Sequence, residues 1–341
     1  MKRNLSLLAA GLGIWCGLRR ALARGFFARK VVFITGGSRG LGLVLARQLV
    51  RRGARLAICA RGGAELERAR AELSKGRAEV MAIVADVSDP VQASTAVDQT
   101  LRRYGRLDVV INNAGIIQVA PLSSMGPQDF REAMEVNYFG PVHVSLAALP
   151  YLRKRRGRIV NITSIGAAVP VPHLLPYTAS KSAFAGFSQG LAAELAREGI
   201  CVTTVLPGLM RTGSFVKALF KGQREKEVAW FAVGASLPGV SLAAERAARR
   251  ILLACALGEG YVTVGLPAKA LRLFHALAPG LALRVLQLVN LLLPGPGGAG
   301  PEEEAEPGWL HRSGASKGIL TRLGDRAARR NREVPWAPPA K

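Results

Sequence analysis

Tyr177 and Lys181 stand four residues apart in the segment Y-T-A-S-K, a spacing that puts a phenol and an ammonium on one face of a helix. A free phenol titrates near pH 10, too high for proton exchange at neutrality, and a neighbouring ammonium lowers that value by stabilising the phenolate. Such a pair suits an oxygen that gains or loses charge during a reaction. Ser164 precedes Tyr177 by thirteen residues and ends the apolar run of residues 158–163. By itself a Tyr-x-x-x-Lys pair is an ordinary helix-surface accident, so its meaning rests on a second constellation. Residues 31–42 read V-V-F-I-T-G-G-S-R-G-L-G, a β-branched run that ends in glycines and opens a helical pattern. Gly36, Gly40 and Gly42 let the backbone pass close to a bulky anion, and the following helix turns its free N–H groups and positive dipole end toward it. A dinucleotide pyrophosphate fits that description.

The elements that must position these residues alternate without interruption. Helical spacing over residues 41–52, 65–75, 90–104, 128–151 and from about 176 onward alternates with strand-like runs at 55–60, 79–85, 107–111, 158–163, 200–206 and 260–264. This pattern predicts an α/β fold, a doubly wound parallel sheet of about seven strands with helices on both faces.

The spacing T-G-x-x-x-G-x-G at residues 35–42 resembles the classical short-chain dehydrogenase/reductase family. So do Asp86-Val87, Asn112-Asn113-Ala114-Gly115, Val136-Asn137-Tyr138, Ser164 with Tyr177 and Lys181, and Pro207-Gly208 followed by Met210 and Thr212. The resemblance covers roughly residues 28–265. It implies hydride transfer between a nicotinamide and a carbonyl carbon, with Tyr177 as general acid in reduction and base in oxidation. Lys181 would lower the pKa of that phenol and bind the nicotinamide ribose, Ser164 would polarise the substrate oxygen, and Asn137 would hold a relay water. Cofactor contacts carried over with it are Gly36, Ser38, Arg39, Gly40, Leu41, Gly42, Asp86, Val87, Asn113, Ala114, Gly115, Pro207, Gly208, Met210 and Thr212. At the end of the second strand stand Ala60 and Arg61 rather than an acidic residue. With Arg39 in the glycine turn and no carboxylate nearby in sequence, two guanidinium groups favour the 2′-phosphate of NADPH.

Composition narrows the remaining classes. The 341 residues are 49% apolar and carry a formal charge of +24, enough for a sizeable core and attractive to polyanions. Zinc-finger or aromatic RNA-binding patterns are missing, so nucleic acid is not expected as a partner. The four cysteines and four histidines are dispersed, which argues against disulfides and a metal site. Residues 1–27 hold an apolar stretch at 5–18 flanked by Lys and Arg. It reads as a retained anchor rather than a signal peptide, with the larger positive flank and the catalytic body on the cytoplasmic side. Residues 266–293 form an apolar helical extension interrupted at Pro279-Gly280, destined for lipid, for the body of the domain or for a homo-oligomer interface. Residues 294–341, rich in Gly, Pro, Glu and Arg, read as a mobile linker and charged tail. Phe215, Leu219, Phe220, Trp230 and Phe231, with Val169, Val171, Leu174 and Leu175, suggest an apolar cleft or plain helix packing. Together these expectations describe a membrane-associated reductase of a lipophilic carbonyl compound, or else a non-catalytic NADPH-binding or redox-sensing protein.

Overall fold

The computed structural model describes residues 17, 23, 25–76, 78–298 and 300–335. The expected anchor lies almost entirely outside the described residues. Seven parallel strands form one sheet: β1 (Val31–Thr35), β2 (Arg55–Ala60), β3 (Val80–Val84), β4 (Val109–Asn112), β5 (Arg158–Ile162), β6 (Cys201–Pro207) and β7 (Tyr261–Val264), in the order β7-β6-β5-β4-β1-β2-β3. Their Val- and Ile-rich composition suits strands covered on both faces. One face packs against α1 (Gly40–Val50), α2 (Gly63–Leu73) and α8 (Ala244–Leu257), through Leu45, Leu66 and Ile251 among others. The other face packs against α3 (Pro90–Tyr104), α5 (Gly140–Arg153) and α6 (Leu175–Glu194), through Val97, Val144 and Leu191. Strand order reverses direction between β1 and β4, which leaves a crevice beyond their carboxyl ends.

The single helix expected over residues 128–151 is instead broken in two. Helix α4 (Pro127–Met134) runs into a π-turn at Glu135–Phe139 before α5 begins. Gly140 leaves no room for a Cβ against the side chain of Val87, and the widened turn carries Asn137 inward to a fully buried position. Such a bulge inserts an extra residue per turn and re-aims the side chains beside it.

The tail expected to be mobile is folded onto the body. Residues Glu306–Pro307 pair antiparallel with Leu219–Phe220, which in turn pair parallel with Gln118–Val119. Trp309 packs against a third apolar cluster containing Phe215, Phe220, Phe231 and Ala328. Helix α11 (Arg322–Arg330) buries Gly324, Ala327 and Ala328. Charge composition misled because several of the charged groups find partners: Arg224 meets Glu303 at 2.8 Å, Arg312 meets Asp325 at 2.7 Å, Arg330 meets Glu245 at 2.6 Å and Arg332 meets Glu72 at 2.8 Å. Small residues at helical spacing then let α11 approach closely.

One of those close approaches is at Gly213, which has φ 93° and whose missing Cβ would overlap the Cα of Ala328. Gly213→Ala should therefore cost about 2–5 kcal/mol, from left-handed backbone strain plus overpacking. Urea unfolding checks this, and a loss below about 1 kcal/mol would mean that α11 is not seated there.

Candidate active site

A cavity of ≈ 770 Å³ opens at the carboxyl ends of the central strands, a size that holds a cofactor and a small substrate. Every site residue read from the sequence lines it except Gly42 and Asn137, which stand just behind its wall. Gly42 lies so close to the Gly36 carbonyl that a Cβ there would collide with it. That contact folds the glycine turn tightly against α1, whose N-terminus faces the cavity. Asn113 secures the turn from the other side: its Nδ2 donates to the Thr35 and Gly36 carbonyls at 3.1 Å each, and Thr35 Oγ1 accepts from the Asn113 and Ala114 N–H groups at 3.0 Å. The cradle left by these side-chain-free positions fits a dinucleotide pyrophosphate.

At the opposite end, α6 delivers Tyr177 and Lys181. Ser164 caps the turn after β5, its Oγ accepting from the Gly166 N–H at 3.0 Å, and also hydrogen-bonds the Tyr177 hydroxyl. Burial pushes the Tyr177 phenol above its ordinary value, and the Ser164 hydrogen bond offsets part of that rise. Burial also pulls the Lys181 ammonium down to about 8. Its Nζ donates to the Ile162 carbonyl at 3.2 Å and lies 5.9 Å from the centre of the Tyr177 ring. Phenol and ammonium thus share one face, as the spacing required, without a direct bond between them. Asn137 spends its side chain on the backbone: Oδ1 accepts from the Ile116 N–H at 3.0 Å, and Nδ2 donates to the Ile116 carbonyl and the Ser180 hydroxyl at 3.1 Å each. It ties residues 115–117 to α6.

The aromatic residues expected around a cleft divide between the two roles. Phe215 and Phe220 are core, whereas Trp230 and Phe231 on α7 (Arg224–Ser236) line the cavity with Val171 and Leu174. Sequence reasoning missed what holds Trp230: its Nε1 donates to Glu227 Oε2 at 2.6 Å, and the other oxygen of this fully buried carboxylate meets His173 Nδ1 at 2.8 Å. No local spacing signals that pair.

The adenosine end also differs from expectation. A carboxylate does stand near Arg39: Glu65, at the start of α2, pairs with it at 2.8 Å and with Lys217 at 3.2 Å. Glu333, delivered by the tail, lies on the other side of Arg39 at 3.3 Å. Arg61 reaches Asp86 at 3.6 Å and remains mostly exposed. Among the described residues no group of His, Cys, Asp or Glu can hold a metal.

This fold and cavity define an oxidoreductase of the short-chain type. The family profile "short chain dehydrogenase" matches residues 30–221, and the chain belongs to that family. It is 36% identical over 286 residues to "11-beta-hydroxysteroid dehydrogenase A" of Sesamum indicum, covering 81% of this chain and 79% of that one. It is 39% identical over 186 residues to the "L-fucose dehydrogenase" of Mus musculus, covering 53% of this chain and 66% of that protein. Among solved structures, a short-chain dehydrogenase from Streptomyces avermitilis superposes with a TM-score of 0.66 at 31% identity, over 77% of this chain and 98% of its own.

Gly115 offers a direct check on the geometry, since a Cβ there would lie 2.7 Å from Asn137 Oδ1 and 3.3 Å from Lys181 Nζ. Gly115→Ala should shift both groups and lower kcat by about tenfold to a hundredfold, the usual effect of a small misplacement. Far-ultraviolet circular dichroism should stay unchanged; full activity would show that neither group is held as described.

Proposed function

We propose that this short-chain dehydrogenase interconverts a carbonyl and a secondary alcohol on a lipophilic substrate, with NADPH as its hydride partner. The observation that carries the reading is the convergence of Ser164, Tyr177 and Lys181 at one end of the cavity that the glycine turn closes at the other. When bound, the nicotinamide supplies or accepts the hydride. The chain's own residues handle the proton. Ser164 donates a hydrogen bond to the carbonyl oxygen, and Tyr177, held protonated by burial, gives its proton to the developing alkoxide. Lys181, with its charge beside the phenol, stabilises the phenolate left behind, and Asn137 keeps the segment 115–117 against α6 while that happens. In oxidation the proton moves the other way.

NADPH is favoured by Arg39 and Arg61 and by the uncharged Ala60 at the end of β2. The substrate's lipophilic character is supported by the Trp230, Phe231, Val171 and Leu174 wall, and by relatives whose names include a hydroxysteroid dehydrogenase. An intact set of proton-handling residues argues against the non-catalytic alternative. Tyr177→Phe should lower kcat by about 10²–10⁴-fold on aldehydes or ketones of increasing chain length, with NADPH affinity within about threefold of the parent. A variant that keeps the parental rate would rule out Tyr177 as the acid.

Membrane association belongs to the same reading. Helices α9 (Leu266–Leu277) and α10 (Pro279–Leu291) leave Leu266, Leu277, Leu291 and Leu292 at least 76% exposed. Leu271 and Leu286 of the same pair line the cavity. The pair carries Lys269, Arg272 and Arg284 and no acidic residue. Among the described residues no helix is long and apolar enough to cross a membrane, so this surface would lie on a bilayer, with basic residues each adding about 1 kcal/mol near anionic lipid. The full chain should float with phosphatidylserine-containing vesicles at low salt; failure to float would remove the bilayer from the proposal.

A further inference from the structure

Residues 330–333 wrap over the glycine turn and put a carboxylate beside Arg39. The Gly40 N–H, the first of α1, donates to the Asn331 carbonyl at 2.9 Å. Asn331 Nδ2 donates to the Thr212 carbonyl at 3.2 Å, and Arg47 holds the Arg330 carbonyl at 2.9 Å. Arg332, with φ 60°, turns the chain so that Glu333 points back toward the cavity. The Glu333 side chain is only 6% exposed. A Cβ on Gly40 would strike its Oε1, and its Oε2 makes no hydrogen bond although Arg39 Nε stands 3.3 Å away.

We infer that Glu333 is a specificity-determining residue of the cofactor site, whose carboxylate competes with the 2′-phosphate of the dinucleotide for Arg39 and so sets the balance between NADPH and NADH. This rests on the proposed reading of Arg39 as a phosphate-binding residue. The charge count supports it. Arg39 and Lys217 face Glu65 and Glu333, so the group is neutral when both carboxyls are ionised. It gains one positive charge when Glu333 is neutral. An incoming phosphate dianion is repelled by the ionised carboxylate and welcomed by the neutral one. NADH, which carries a hydroxyl at that position, escapes most of this competition.

Titration makes the effect visible. Burial pushes the Glu333 carboxyl up to about 7; the charges of Arg39 and Lys217 act against this, and that of Glu65 adds to it. Arg47, Arg330, Arg332 and Glu72 surround the segment from α1, α2 and the tail. As pH rises through that range Glu333 ionises and the preference for NADPH should fall. The 2′-phosphate itself titrates near pH 6, and its ionisation strengthens binding in the opposite direction, so the window above pH 7 separates the carboxyl from the phosphate; Lys181, at about 8, stands at the nicotinamide end that both dinucleotides share, and its effect cancels from their ratio.

The test uses the full chain and measures the dissociation constants of NADPH and NADH by nicotinamide fluorescence from pH 7 to 8.5. In the parent the ratio of NADH to NADPH dissociation constants should fall by about threefold to tenfold. Glu333→Gln should start from a higher ratio and stay flat. Equal ratios with the same pH course in parent and variant would overturn the inference, as would a flat ratio in the parent, which needs no variant to fold. Glu333→Ala should behave as Glu333→Gln does. Arg61→Asp separates the two levels of argument: if it weakens NADPH selectively while Glu333→Gln changes nothing, only the role of Glu333 falls. If the parent binds both dinucleotides equally and Arg61→Asp has no effect, the phosphate-site reading falls, and the competition with it.

Discussion

A buried chain of hydrogen bonds across the middle of the sheet holds the catalytic end in place. Asn112 Nδ2, on β4, donates to Asn161 Oδ1 on β5 at 2.9 Å and to Ser145 on α5 at 3.0 Å. Asn161 Nδ2 continues to Ser188 on α6 at 2.9 Å, and Ser188 meets Thr204 on β6 at 2.7 Å. Each such bond contributes only about 1 kcal/mol net, but leaving a buried partner unmade costs about 1–3 kcal/mol. Sliding α6 along the sheet would therefore break several at once. Tyr177 and Lys181 lie on that helix, about two to three turns before Ser188, so their position relative to Ser164 is fixed by buried polar contacts away from the cavity lining. The Asn in Asn112-Asn113-Ala114-Gly115 that faces the core serves this chain, and the next one serves the glycine turn.

Electrostatics divide the cavity into two halves with different rules. The catalytic half is walled by apolar side chains and holds Lys181, an ammonium whose charge burial disfavours. The adenosine half is crowded with opposed charges, Arg39 between Glu65 and Glu333, and Arg61 beside Asp86. A chain with a large positive surplus thus places its positive groups at the cofactor end within reach of carboxylates, and an excess of arginine does not make that site a simple anion trap.

Most of the fold was legible because its signals are local. β-Branched runs marked the strands, and Gly and Pro marked their ends. The family motifs placed most of the catalytic and cofactor residues around one cavity, because most of those motifs sit at the carboxyl end of a strand or the start of a helix. Three features were not legible, for separate reasons. The π-turn at Glu135–Phe139 leaves the helical period almost intact, and the close fit of the Gly140 backbone against Val87 beside it involves a residue some fifty positions earlier. The buried His173 and Glu227 pair joins two segments 54 residues apart. The tail looked mobile because charge and glycine content report only what a segment could do alone. Its order comes from partners on α2, α7 and α8.

The Asn331 carbonyl on the Gly40 N–H, and the Arg47 contact with Asn331 across 284 residues of chain, give this protein an order of assembly. The sheet, the glycine turn and α6 can form as soon as the first two hundred and seventy or so residues have emerged. The rim of the adenosine pocket is completed only when residue 333 arrives. Closing so long a loop adds little entropy over a shorter one, so the delay is one of synthesis rather than of stability. Until then the contacts of Trp309 and Ala328 with the cluster of Phe215 and Phe220, and of Asn331 with the first turn of α1, are unmade.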